Sequence, residues 1–197
     1  RDTGKHAMIT LKVEETDARL ITCRIVGTDY GNKEDISRYL KYKKVFDHDE
    51  MKNAEVSVVY KVNARADNVN EVDQSDIWVY FPTRDNTDLP FLIHGSFETA
   101  VSREKLMTPS AFNSDLFDKL GDLIADSMID LADRKLITQG FLRRVVMSAF
   151  KDESTNHTIP GLKEKVTKAI IENGLIPDRK GEYHKSSELR IPVPFRI

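Results

Sequence analysis

The chain has 197 residues, 40% hydrophobic and 31% charged, with a formal net charge of −2. Such a composition suits one large or two small domains with a sizeable core, and its balanced charge argues against a protein built mainly to grip nucleic acid while leaving room for a local basic patch. Cys23 is the single cysteine, so disulfide scaffolds and cysteine-rich zinc sites are excluded; no apolar run approaches the roughly 18 residues that span a bilayer as a helix, and no signal-peptide pattern opens the chain.

The first third carries strand periodicity. Ile9, Leu11 and Val13 alternate with polar residues, as do Ile21, Cys23 and Ile25, so the two stretches are expected to form a hairpin through 16–18. Residues 30–49 are expected to be partly helical around Ile36, Tyr39 and Leu40. Val56, Val58, Tyr60 and Val62 mark a further strand, and 67–76 reads as a loop. Ile77-Trp78-Val79-Tyr80-Phe81 is apolar on both faces and predicts a central, buried strand. A polar turn over 82–90 then leads to a short strand, Phe91-Leu92-Ile93, ending at His94-Gly95.

The period changes at Phe112. Phe112, Leu116, Leu120, Leu123, Ile124, Met128 and Leu131 predict a long amphipathic helix, with Pro109 and Ser110 as its start signals. A second helix is expected over 139–150, and a third from Pro160-Gly161 to Gly174. A short strand and turn over 175–183 follow. Strands with helices segregated after them give an α+β fold, with a mixed sheet of about five strands, helices on one side and a small helical C-terminal part.

Few residues carry chemistry by type and spacing. Asp115, Asp118, Asp122, Asp126, Asp130 and Asp133 share a helix face and read as a solvated surface opposite the apolar stripe. The five histidines lack metal-ligand spacing, Cys23 reads as a small core residue, and no phosphate-binding glycine loop is present. The basic run Arg38, Lys41, Lys43 and Lys44, interleaved with Tyr39 and Tyr42, is the candidate contact for an acidic partner or nucleic acid, against a bland reading as a solvated face. Arg103 stands between a short buried strand and the long helix, outside the apolar stripe, where its guanidinium fork suits a phosphate or a carboxylate. The plain alternative is a salt bridge to Glu104 or to an aspartate of the helix.

Several phrases occur in order: Trp78-Val79-Tyr80-Phe81-Pro82-Thr83, Leu89-Pro90-Phe91-Leu92-Ile93-His94-Gly95-Ser96-Phe97, Ser102-Arg103-Glu104, Asn113 and Leu116, then Leu175-Ile176-Pro177 and Gly181-Glu182-Tyr183. Together, over about 54–190, they resemble sacsin and its large bacterial relatives. Those proteins carry an N-terminal ATP-binding domain of the GHKL type, like that of the ninety-kilodalton heat-shock chaperones. The resemblance implies that residues 1–136 form a transducer-like middle domain with a ribosomal-protein-like βαβ arrangement, followed by a helical subregion over 137–197. Arg1 in place of an initiating methionine, and the apolar close over 190–197, fit a piece of a longer chain.

Ser102-Arg103-Glu104-Lys105-Leu106 is similar to the chaperones' Ser-Arg-Glu-x-Leu phrase, whose arginine reaches the ATP γ-phosphate. The glutamine that follows the chaperone phrase is Met107 here. The resemblance therefore implies a cytoplasmic ATPase in which an upstream domain, with an Asn-bearing helix and Asp-x-Gly-x-Gly, holds ATP and Mg²⁺. Arg103 would contribute the γ-phosphate contact, this segment alone would hold no nucleotide, and protein clients are the expected further partners. The alternative is an interaction module for a protein partner or, less favoured, nucleic acid, with no part in nucleotide chemistry; oligomeric state stays open.

Overall fold

The computed structural model describes residues 9–10, 20–25, 35–63, 65, 67–72, 75–150, 159, 161–178 and 180–188. Its β-layer begins with β1 (Ile9–Thr10), β2 (Leu20–Ile25), β3 (Asp35–Phe46) and β4 (Ala54–Val62), all paired antiparallel in that order. Cys23 lies on β2, and the expected connection over 16–18 lies outside the described residues.

β3 corrects the helical expectation for its stretch. The Ile36, Tyr39 and Leu40 spacing imitates a helix, but Leu40 and Tyr42 are buried while Lys43 is exposed, a period of two. Partner strands supply the rest: β2 pairs with Asp35 to Leu40 on one side, and β4 pairs with Arg38 to Phe46 on the other. Long-range pairing overrides a local pattern that short windows cannot resolve.

β5 (Val69–Asn70) adds a short pairing to β4, and β6 (Asp76–Trp78), β7 (Pro82–Asn86) and β8 (Leu92–Gly95) complete the sheet. The path runs β1-β2-β3-β4-β8-β6-β7, with β6 and β8 parallel and the other pairs antiparallel. The sheet is therefore mixed, and its eight strands among the described residues exceed the expected five through β3, β5 and β7.

Two expectations around β6 are corrected. Ile77 is fully buried, but the chain turns at Val79, whose N–H donates to the Phe81 carbonyl, and Tyr80 and Phe81 are 86% and 77% exposed. Residues 82–86, expected as a polar turn, form an edge strand instead. Pro82 opens it, where a missing N–H costs no ladder bond. Thr83 and Asp85 point inward and are satisfied there: the Thr83 hydroxyl donates to Ile77 O, and Asp85 accepts from the Leu106 N–H.

Among the described residues three α-helices follow: α1 (Ala111–Asp133), α2 (Gln139–Ala149) and α3 (Leu162–Asn173). Ser110 caps α1 by accepting from the Asn113 N–H, and Thr138 caps α2 by accepting from the Phe141 N–H. Gly174 ends α3 at φ +65°, where an added Cβ would also crowd the backbone of His184 and Lys185. α1 lays Leu116, Leu120, Ile124, Met128 and Leu131 on the Val56, Val58 and Tyr60 side of the sheet. α3 packs on α1, and α2 on α3, so the fold is α+β with its helices on one face. Tyr60, Phe91 and Phe141 stack at the centre, and the Tyr60 hydroxyl is satisfied by Ser127 at 2.7 Å. A small hairpin, β9 (Ile176–Pro177) with β10 (Tyr183–His184), closes the described chain before a 3-10 turn at Ser186–Glu188. Among the described residues, no helix is long and apolar enough to cross a membrane.

Candidate functional site

The segment between β8 and α1 is a small hairpin of its own. Thr99 and Leu106 form an antiparallel bridge, the Ala100 N–H donates to Lys105 O, and the Met107 N–H donates to Glu98 O, both at 2.9 Å. The Arg103 N–H closes the tip by donating to Ala100 O at 2.8 Å.

The base of this hairpin is fixed by Asn113 in the first turn of α1. Its buried amide oxygen accepts from the Glu98 N–H at 2.8 Å, and its amide nitrogen donates to Glu98 O at 2.9 Å and Met107 O at 3.1 Å. Ser110, the α1 cap, also donates to the Glu98 carboxylate at 2.8 Å. The side of the hairpin is held by β7: the Arg84 N–H donates to Glu104 O at 2.7 Å, and buried Leu106 donates its N–H to Asp85. The hairpin is thus tied to both the sheet edge and the long helix.

Arg103 sits at the tip with φ +58°. Among the described residues, three other non-glycine residues share this left-handed region, each with a local reason: Asn53 and Asp88 are short polar types that tolerate it, and Lys135 follows the end of α1. Arg103 takes it as the residue that closes the hairpin turn, its N–H bonded to Ala100 O. Its exposed side chain has no carboxylate partner among the described residues, because Glu104 pairs with Arg84 at 3.0 Å. The neighbour salt bridge is therefore not made by Arg103. Met107, at the position after the motif, is 43% exposed.

The basic run is divided by strand alternation. Lys41 and Lys43 stand on the sheet face turned away from α1, near Glu55 and His94, with Lys43 Nζ 2.5 Å from Glu55 Oε2. Lys44 faces the helices and lies near Asp118 and Asp122. Arg38 pairs its backbone with Thr22 and Val62, and its side chain is outside the described set.

Two polar groups sit beneath this lysine face. Ser57 and His94 are cross-strand partners, Ser57 is wholly buried, and its Oγ has no hydrogen-bond partner among the described residues. His94 Nδ1 lies 3.4 Å from Glu55 Oε1, an ion-pair distance without hydrogen-bond geometry, so that nitrogen is also unbonded. Burial pushes the His94 imidazole below its ordinary pKa against the pull of Glu55, and Lys41 and Lys43 add to the depression. Burial works to raise the Glu55 carboxyl, but Lys43 outweighs it and holds the group below its ordinary value.

Among the described residues, no three His, Cys, Asp or Glu side chains gather as a metal-ligand set. The acidic stripe of α1, expected as a solvated face, is exposed at Asp115, Asp118, Asp126 and Asp133, and several of its carboxylates also find partners there: Asp118 and Asp122 each meet Lys165 at 2.7 Å, Asp130 holds Arg134 and the Tyr42 hydroxyl, and Asp115 meets His48. The clamp by Asn113 and the Arg84–Glu104 pair were not readable from the chain, because their partners meet only through folding.

Comparison with protein-family models, curated proteins and solved structures finds no match to this chain.

Proposed function

We propose that this chain is the transducer-like middle segment of a sacsin-like, heat-shock-chaperone-like ATPase, and that Arg103 contacts the γ-phosphate of ATP held with Mg²⁺ by an upstream domain. The single observation that carries the reading is the presentation of Arg103. A guanidinium without a carboxylate partner among the described residues stands at φ +58° on a hairpin whose base and side are both hydrogen-bonded to the fold. Holding a non-glycine residue there costs roughly 1–2 kcal/mol, which the anchoring bonds offset.

The chemistry follows from where the charge acts. In water, a unit charge pair at 4 Å gains only about 1 kcal/mol, whereas a closed, water-excluded interface strengthens it several-fold. Arg103 therefore serves the reaction only when the nucleotide-bearing domain closes on the hairpin. There its fork would neutralise charge developing on the transferring phosphoryl group and mark the triphosphate state for the rest of the chain.

ATP turnover by the full-length protein is the test. Arg103→Ala is expected to lower kcat by on the order of 10²-fold or more, with Arg103→Lys intermediate because it keeps the charge and loses the fork. An unchanged kcat in Arg103→Ala removes the role given to Arg103.

A binding-module reading draws on the Lys41 and Lys43 face, which also carries Trp78 as the register partner of His94. Salt-dependent oligonucleotide binding, lost on neutralising Lys41 and Lys43, would favour it over the nucleotide reading.

A further inference from the structure

The sheet face turned away from the helices carries four side chains in one row. Lys43 is the register partner of Ser57, Ser57 of His94, and His94 of Trp78, one residue each from β3, β4, β8 and β6. The preceding register partners, Tyr42, Val58, Ile93 and Ile77, are all buried in the core, so alternation puts the row on the opposite face. Neighbours in the row stand about 5 Å apart, the spacing of adjacent strands.

Ser57 is the shortest member and lies between Lys43 and His94. It is wholly buried, and its Oγ bonds nothing among the described residues; His94 Nδ1 is buried and unbonded as well. Folded proteins leave few buried polar atoms unpaired, and here two fall on cross-strand partners. Both atoms can donate, the serine through its hydroxyl and the imidazole through Nδ1–H.

An anion already rests against this pair. Glu55, two residues before Ser57 on the same face, brings Oε2 within 2.5 Å of Lys43 Nζ and Oε1 within 3.4 Å of His94 Nδ1. It approaches the imidazole without bonding it and leaves the Ser57 hydroxyl unpaired. Lys41 is a second ammonium group near both Glu55 and His94. The donors outnumber the oxygens that one carboxylate offers.

We propose that this row is a binding site for a phosphate group, which takes the place of the Glu55 carboxylate. One phosphate oxygen accepts from the Ser57 hydroxyl and another from His94 Nδ1–H, while Lys41 and Lys43 balance the charge. Glu55 is the internal plug: it turns to solvent, and Lys43 exchanges it for the ligand. Val59 and Leu92, in register with Lys41, border the site with apolar surface on one side. The site is separate from Arg103 and does not depend on the nucleotide reading.

The test titrates this chain with sodium phosphate at constant ionic strength, reading the His94 ring and Ser57 amide signals by NMR. Saturable shifts at both are expected, with a Kd in the millimolar range because the lysines are partly solvated. Ser57→Ala should raise that Kd about tenfold, the loss of one hydrogen bond to a charged acceptor. Its thermal midpoint should stay level or rise, because the hydroxyl removed has no partner among the described residues. Glu55→Gln should tighten binding severalfold by removing the competing carboxylate, and Arg103→Ala should bind like the parent. A parallel titration with O-phosphoserine distinguishes the sources: tighter binding than phosphate assigns the site to a phosphomonoester, and equal or weaker binding to the free ion. The proposal is overturned by shifts that never saturate, or by the same Kd in Ser57→Ala. It also fails if Glu55→Gln binds no tighter, or if Arg103→Ala abolishes binding and so moves the phosphate to the hairpin.

Discussion

Asn113 shows how one side chain sets the geometry of another ten residues away. Its amide satisfies three backbone groups of Glu98 and Met107, and it is buried. Asn113→Ala leaves the Glu98 N–H and Met107 O without that partner, while Glu98 O keeps the Met107 N–H, an expected loss of about 2 kcal/mol in urea unfolding. The local consequence is more telling. Amide exchange at Ala100, Arg103 and Met107, whose N–H groups hold the hairpin, should accelerate more than exchange in β4; equal acceleration in both would mean Asn113 serves only global stability. At this scale the chain was half legible. Arg103 and Leu106 stand out by type within one phrase, and the structure makes Leu106 the buried foot and Arg103 the exposed tip. The strut between Arg84 and Glu104 was not, because 20 residues separate them and neither position has a periodic signature.

α1 illustrates the same divide among elements. Its apolar stripe, cap and length were legible because a 3.6-residue period repeats over many turns, as were α2, α3 and the Gly174 stop. β3 was misread because three residues at helical spacing outweighed an alternation that only its neighbours make decisive. The acidic stripe was read as solvent-facing and is largely exposed; what the period did not reveal is that Lys165 of α3 reaches it and donates to Asp118 Oδ1, Asp118 O and Asp122. Lys165 also closes over Gly121, where an added Cβ would come within 3.1 Å of its stem. Its hydrogen bond holds the Asp118 carboxyl below the ordinary 3.8, with burial opposing weakly. A depressed carboxylate contributes stability that is present above its unfolded value and lost as pH falls through the folded one. Lys165→Met is therefore expected to cost about 1 kcal/mol at pH 7, and the difference from the parent in urea midpoint should shrink below pH 3.8. A difference that persists at low pH would assign the loss to packing of the lysine stem instead.

Across the whole molecule, the helical layer on one face leaves the Arg103 hairpin and the aromatic tip at the end of the sheet, outside the core that runs from Leu40 to Leu175. That arrangement makes a distinct demand on nucleotide binding. Arg103 is exposed, so a phosphate reaching it from solvent gains a screened attraction of about 1 kcal/mol, far short of the roughly 8 kcal/mol that a micromolar Kd requires. Lys105, also exposed, adds a second weak attraction of the same kind. Calorimetric titration of this chain with Mg-ATP is accordingly expected to show no saturable binding below about 1 mM, and raising the salt should erase any residual heat through screening. Saturable micromolar binding that survives 0.5 M salt would require a nucleotide pocket within this chain, and the proposal that Arg103 acts on a nucleotide held elsewhere would then fail.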